Sequence, residues 1–133
     1  MEIANWKMQN GDMEMEERSN DISERLLDYG VEIINLTSEL NETMIGRHIG
    51  KQLLKSGTSA GANYEEACGA ESRADFIHKL QITLKELRES LDWEKLIKKS
   101  KISKNINLDD VIDETKQLIK IIAQSVITAK NNS

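Results

Sequence analysis

Proline is absent from these 133 residues, and aromatic residues nearly so: one Phe, two Trp and two Tyr. Lack of Pro removes the commonest helix breaker. Scarcity of aromatics argues against a β-sandwich or barrel, whose strands draw on aromatic and β-branched side chains. The single cysteine, Cys68, excludes an intrachain disulfide framework and fits a reducing compartment. No apolar run approaches the roughly 18 residues needed to span a bilayer. The opening stretch, MEIANWKMQNGDMEMEERSN, lacks the charged start and apolar run of a signal peptide. These absences predict a cytoplasmic, all-helical protein with no membrane partner, and the length suits one domain with one core.

Charge is unevenly placed. The net value is −5, yet Met44 to Lys101 carries 11 Lys and Arg against 8 Asp and Glu, or +3. The remaining residues carry 7 against 15, or −8, so the acidic excess belongs to the N-terminal residues and the outer helices. An imbalance of this size fits ordinary solvated faces.

Residues 1–18 are Met-rich, acidic and aperiodic, and are expected to form a mobile arm on which Ile3, Trp6 and Met8 are free to dock. Residues 19–133 are expected to form the folded domain. Asp21 and Glu24 have the spacing of a capping box. Apolar positions 22, 26, 27, 31, 33, 34 and 40 follow, predicting a first helix from Asp21 to about Glu39. The polar break Asn41-Glu42-Thr43 starts a second helix, with Ile45, Ile49, Leu53, Ala60 and Ala67 inside and an end near Cys68 and Gly69. Ser72 and Asp75 signal a third start before Phe76, Leu80, Leu84, Leu87 and Leu91. That helix should end near Lys98 to Lys101, where positive charge suits a helix C-terminus. After a polar connector, Asn107 is placed to cap a fourth helix carrying Leu108, Val111, Thr115, Leu118, Ile122, Ser125 and Ala129. Four amphipathic helices with short turns predict an antiparallel up-down four-helix bundle.

The most informative stretch runs from Ser56 to Trp93. Its first half is Gly, Ala and Ser, with Asn63, Glu65 and Glu66 close behind. Gly inside a helix costs roughly 0.5–1 kcal/mol relative to Ala, so Gly57 and Gly61 point to unusually close packing.

The same stretch resembles the family of bacterial 23S rRNA intervening-sequence proteins. The resemblance is carried by Leu53-Leu54-Lys55-Ser56-Gly57-Thr58-Ser59 and Gly61-Ala62-Asn63-Tyr64-Glu65-Glu66-Ala67. It continues through Ala70-Glu71-Ser72-Arg73, Asp75-Phe76-Ile77-His78-Lys79-Leu80, Lys85-Glu86, Arg88-Glu89 and Trp93. Lys55, Thr83 and Leu87 depart from the family pattern. The resemblance extends over roughly residues 21–129 and implies a four-helix bundle assembling into a homopentameric ring. It also implies kinship with the accessory protein of diversity-generating retroelements, a bundle that binds nucleic acid and a reverse transcriptase. No enzymatic activity is implied.

Candidate sites are few. Ser59, Asn63, Glu66, Glu86 and Glu89 are expected to form a structural polar network between the second and third helices, with Arg88 as a further donor. A carboxylate-bridged metal centre is the competing reading. Such centres pair glutamates with repeated Glu-x-x-His words, and here only Asp75-x-x-His78 comes near. Cys68 lacks a neighbouring base, Ser59 lacks a nucleophile-elbow setting, and no Gly-rich phosphate loop is present. No catalytic residue, metal, cofactor or small-molecule substrate is therefore expected. Arg47, Lys51 and Lys55, spaced four apart beside His48, form the candidate nucleic-acid contact. The expected role is a non-enzymatic oligomeric adaptor, with an RNA- or DNA-binding accessory protein as the alternative.

Overall fold

A computed structural model describes residues 13–103 and 106–132, with side chains from residue 17 onward. Four helices account for nearly all of it: α1 (Met13–Ser38), α2 (Met44–Cys68), α3 (Arg73–Ser100) and α4 (Leu108–Asn131). No strand occurs among the described residues.

Local chemistry explains the ends. Thr43 takes an extended backbone and its hydroxyl accepts the Gly46 amide at 2.9 Å, which starts α2. Ser72 does the same for the Asp75 amide at 3.1 Å, starting α3. Asn107 precedes α4, but its side chain meets the Asp110 carboxylate at 3.1 Å and caps no backbone amide. The expected start of α1 at Asp21 is corrected: the helix already runs from Met13. Nothing between Met13 and Asp21 breaks a helix, and Ser19 is tied to α2, where Tyr64 and Cys68 lie 3.2 Å from its hydroxyl. The expected mobile arm therefore loses residues 13–18 to α1, and its remainder lies outside the described residues.

Each helix turns one face to the core, built on a stripe at steps of three and four. On α1 it is Ile22, Leu26, Tyr29, Ile33 and Leu36, continued by Leu40 in the turn that follows. Leu27, Val31 and Ile34, expected inside, form a second stripe that is 50–62% exposed. Ile45, also expected inside, is 59% exposed. One face of a helix holds about one such stripe, so apolar residues one position out of register are turned away from the core. The α4 stripe from Leu108 to Ala129 is buried throughout as expected.

Consecutive helices pack most closely, and α1 meets α4 at few points. Near approaches between α1 and α2 run Leu26 with Gly61, Ile33 with Gly57 and Thr37 with Gly50, and Leu40 of the turn meets Gly46. An added Cβ at Gly57 would lie 2.9 Å from Ile33 Cγ1 and 3.3 Å from its Cβ, whereas one at Gly61 would find Leu26 Cβ at 3.7 Å. Of the two glycines singled out in the sequence, Gly57 is thus the close approach, while a Cβ at Gly46 would press still harder on the Leu40 carbonyl of the preceding turn. Arg73 adds a tie at the far end by donating to the Ala129 carbonyl of α4.

Gly57→Ala should lower stability by about 1–3 kcal/mol through overpacking against a stiff β-branched neighbour. Gly61→Ala should be neutral or mildly stabilising, since Ala favours helix and the space is adequate. Urea midpoints of the two variants test this; equal effects would rule out Gly57 as the contact point.

Candidate functional site

The residues expected to form a polar seam are spread along the flanks of α2 and α3. Asn63 donates to the Ser59 carbonyl at 2.9 Å, within its own helix. Glu66 is exposed and pairs with Lys79 at 3.1 Å. Glu89 accepts the Trp93 indole N–H at 3.3 Å, one turn along. Glu86 is half-buried; partial desolvation and nearby Glu89 raise its pKa, with Lys85 and Lys55 opposing. Arg88 is exposed. Among the described residues, no side-chain hydrogen bond joins Asn63, Glu66, Glu86 and Glu89 to one another. Their register is the reason: the α3 core stripe passes through Leu87, Ser90 and Glu94, one position beside Glu86 and Glu89.

A buried polar network does exist, on other residues. Glu94 is 0% exposed. Its carboxyl accepts the Tyr29 hydroxyl of α1 at 2.7 Å and lies 2.8 and 3.0 Å from the Thr115 hydroxyl of α4. Thr115 also sits 2.9 Å from the Tyr29 hydroxyl and 2.8 Å from the Val111 carbonyl. One turn away the buried hydroxyls of Ser56 and Ser90 meet at 2.8 Å, bringing α2 into the same polar interior. Among the described residues no Lys, Arg or His forms an ion pair with Glu94. Burial, opposed by its two hydroxyl partners, pushes the Glu94 carboxyl up to about 7. Burial and the adjoining carboxylate likewise push the Tyr29 hydroxyl well above the usual phenol range.

The pattern that announces this network is an intruder pattern. Tyr29, Ser56, Ser90, Glu94 and Thr115 each occupy a position where the core stripe of their helix should be apolar. Thr115 was recognised as a stripe position from the sequence; Glu94 was not, because its neighbours Trp93 and Lys95 blur the stripe.

The other candidates separate too. Arg47, Lys51 and Lys55 are all exposed. Arg47 and Lys51 border a groove between α1 and α2 with Ile34, Gly50 and Leu54, and Arg47 donates to the Asn41 carbonyl at 3.0 Å. Lys55 instead lies on the α3 side, where it acts on Glu86. The residues are spaced so that the stripe winds across the helix instead of forming one edge. His48 stands edge-on to Trp93, with ring centres 6.4 Å apart. Cys68 is half-buried beside Ser19 and Tyr64, and burial pushes its thiol up, away from the reactive thiolate. Among the described residues no three His, Cys, Asp or Glu side chains converge as metal ligands would, and no helix is long and apolar enough to cross a membrane.

Tyr29→Phe should cost about 1–3 kcal/mol, because it strips a donor from a fully buried carboxyl. Glu86→Ala, removing a half-buried carboxyl that has no hydrogen-bonding partner among the described residues, should cost less. Chemical denaturation of both variants decides, and the reverse order would shift the structural centre back to Glu86.

Among curated proteins none matches this chain. A solved structure does: a protein of unknown function from the S23 ribosomal protein family of Bacteroides thetaiotaomicron, 33% identical, with a TM-score of 0.76. The match covers 82% of this chain and 97% of that one. The family described as 23S rRNA-intervening sequence protein matches residues 18–124, which takes in nearly all of the four helices and the Tyr29–Glu94–Thr115 network. The chain therefore belongs to the 23S rRNA-intervening sequence protein family.

Proposed function

We propose that this protein is a non-enzymatic, cytoplasmic assembly module: an antiparallel up-down four-helix bundle that self-associates into a symmetric homo-oligomer, a pentamer. The observation that carries the reading is the second apolar stripe of α1. Leu27, Val31 and Ile34 stand exposed along a groove whose other wall is Thr58, Gly61 and Ala62 of α2. No side-chain bulk stands over Gly30, so a helix from another copy can approach the backbone there. Contiguous exposed apolar surface of this kind marks interaction sites on soluble proteins. A closed ring needs heterologous contacts, in which one patch meets a different one. The exposed Leu96 of α3 and Ile127 of α4 are candidates for the opposing patch. The pentameric number itself comes from the family resemblance.

Light scattering should give about five times the 15.1 kDa chain mass. Changing Leu27, Val31 and Ile34 together to Ser should reduce it to a single chain with helicity retained. A wild-type monomer at micromolar concentration, or a triple variant of unchanged mass, would rule out this surface.

A second reading rests on the exposed cations of α2. Arg47 and Lys51 rim the α1–α2 groove, so phosphate groups of RNA or DNA would meet them where the assembly surface begins. Binding would be independent of sequence and should weaken steeply between about 50 and 200 mM salt. Replacing Arg47, Lys51 and Lys55 by Glu should abolish it with helicity and oligomer mass intact. Equal, weak binding by wild type and variant to a mixed RNA and DNA panel would reduce these residues to a solvated face.

A further inference from the structure

Glu94, Tyr29 and Thr115 form the one place where a polar interior contact ties α1 to both α3 and α4 among the described residues. The oxygens there outnumber the protons. Thr115 has a single hydroxyl hydrogen but lies within 3.0 Å of the Val111 carbonyl, the Tyr29 hydroxyl and both carboxyl oxygens of Glu94. If Thr115 donates to Val111 and Tyr29 donates to Oε2, the 2.8 Å contact between Thr115 and Oε1 lacks a donor. A proton on Glu94 supplies it. The neutral acid then donates to Thr115, accepts from Tyr29, and buries no net charge.

We propose that a single proton on Glu94 locks α1 onto α3 and α4, and that its loss makes α1 the helix that opens. Charge around the network favours that direction. From α1, Glu32 acts on Glu94 as a like charge, with Asp28 near Glu32. From α4, Glu114 and Asp110 also face Glu32. Arg25 of α1, one turn before Tyr29, is committed to Glu114 at 2.7 and 2.8 Å and to Gln117 at 2.8 Å, and Lys98 of α3 is committed to Asp109 of α4. α2 contributes the Ser56 hydroxyl through Ser90, and α3 contributes Ser90 and Glu94 itself. Apart from these ties α1 meets α4 sparsely, so little else holds this seam.

The direction of the pH effect follows. Glu94 binds its proton more tightly when buried, at about 7, than at its ordinary value of 4.5 once exposed. The lock is complete below about pH 4.5, weakens as pH rises, and is lost by the time pH has passed about 7. Opening of α1 should therefore increase on the order of fiftyfold between about pH 5 and 8, then level off.

Hydrogen exchange of the full-length protein, corrected for intrinsic rates, reads this on α1 amides relative to α2. In wild type the α1 opening constant should climb over that range. In Glu94→Gln, which keeps the shape and cannot titrate, it should stay flat. The carboxyl carbon shift of Glu94 in the unaltered protein gives a second reading that needs no folded variant, and should titrate near neutrality. Titration below pH 5, or the same α1 dependence in wild type and Glu94→Gln, overturns the proposal. Oligomer mass is measured in the same samples. A monomer whose α1 still responds to pH would end the assembly reading and leave the proton lock standing.

Discussion

Within the buried interior, the hydroxyls of Tyr29 and Thr115 close on the Glu94 carboxyl at 2.7–3.0 Å, which requires three helices to be in register at once. A slip of one residue on α1 or α4 would strip the fully buried carboxyl of one of its two partners, and a slip on α3 would carry the carboxyl away from both. The penalty for an orphaned buried polar group exceeds the net gain of most single contacts, so such a network selects one packing over its near alternatives. Leu–Leu contacts along the rest of the stripe tolerate small shifts far better.

Seen from this centre, the other unusual features have places. The Gly57 and Ile33 contact brings α1 and α2 together one turn from Tyr29, and the hydroxyl pair Ser56–Ser90 carries the polar interior from α2 to α3. Tyr64 is held at the opposite end by Ser19, so both tyrosines of the chain are interior polar anchors whose rings fill volume while their hydroxyls find partners. Surface pairs such as Lys98–Asp109 and Lys79–Glu66 are solvent-facing and contribute little by comparison.

The outer face of α1 poses the opposite problem. Leu27, Val31 and Ile34 repeat at the same steps as the buried stripe beside them, yet face outward. A helix with two apolar stripes has one more than a single core can use. That surplus lies beside the bare groove at Gly30 and Gly61, and it is the surface on which the proposed self-association rests. The same helix carries Tyr29 on its inner side, so whatever seats α1 also positions the outer stripe.

How much of this was legible in the chain depends on the physics involved. Helix number, the cap at Ser72, the polar break before α2 and the whole α4 stripe follow from local rules: periodicity, side-chain capping and the absence of Pro, which act within a few residues. The family resemblance was likewise readable, because it lies in words such as Gly61-Ala62-Asn63-Tyr64-Glu65-Glu66. The early start of α1 and the outward turn of Leu27, Val31 and Ile34 were not, since two apolar stripes of equal quality compete and only packing against α2 and α4 chooses between them. Nor could the polar residues be sorted. Asn63, Glu66, Glu86 and Glu89 look as suited to a network as Tyr29, Glu94 and Thr115 when each helix is considered by itself. Which glutamate is buried depends on rotations of a few tens of degrees about four helix axes, and those are set by long-range contacts. The sequence by itself determined four amphipathic helices and their family; tertiary packing alone decided which carboxyl lies at the centre and which apolar stripe remains outside.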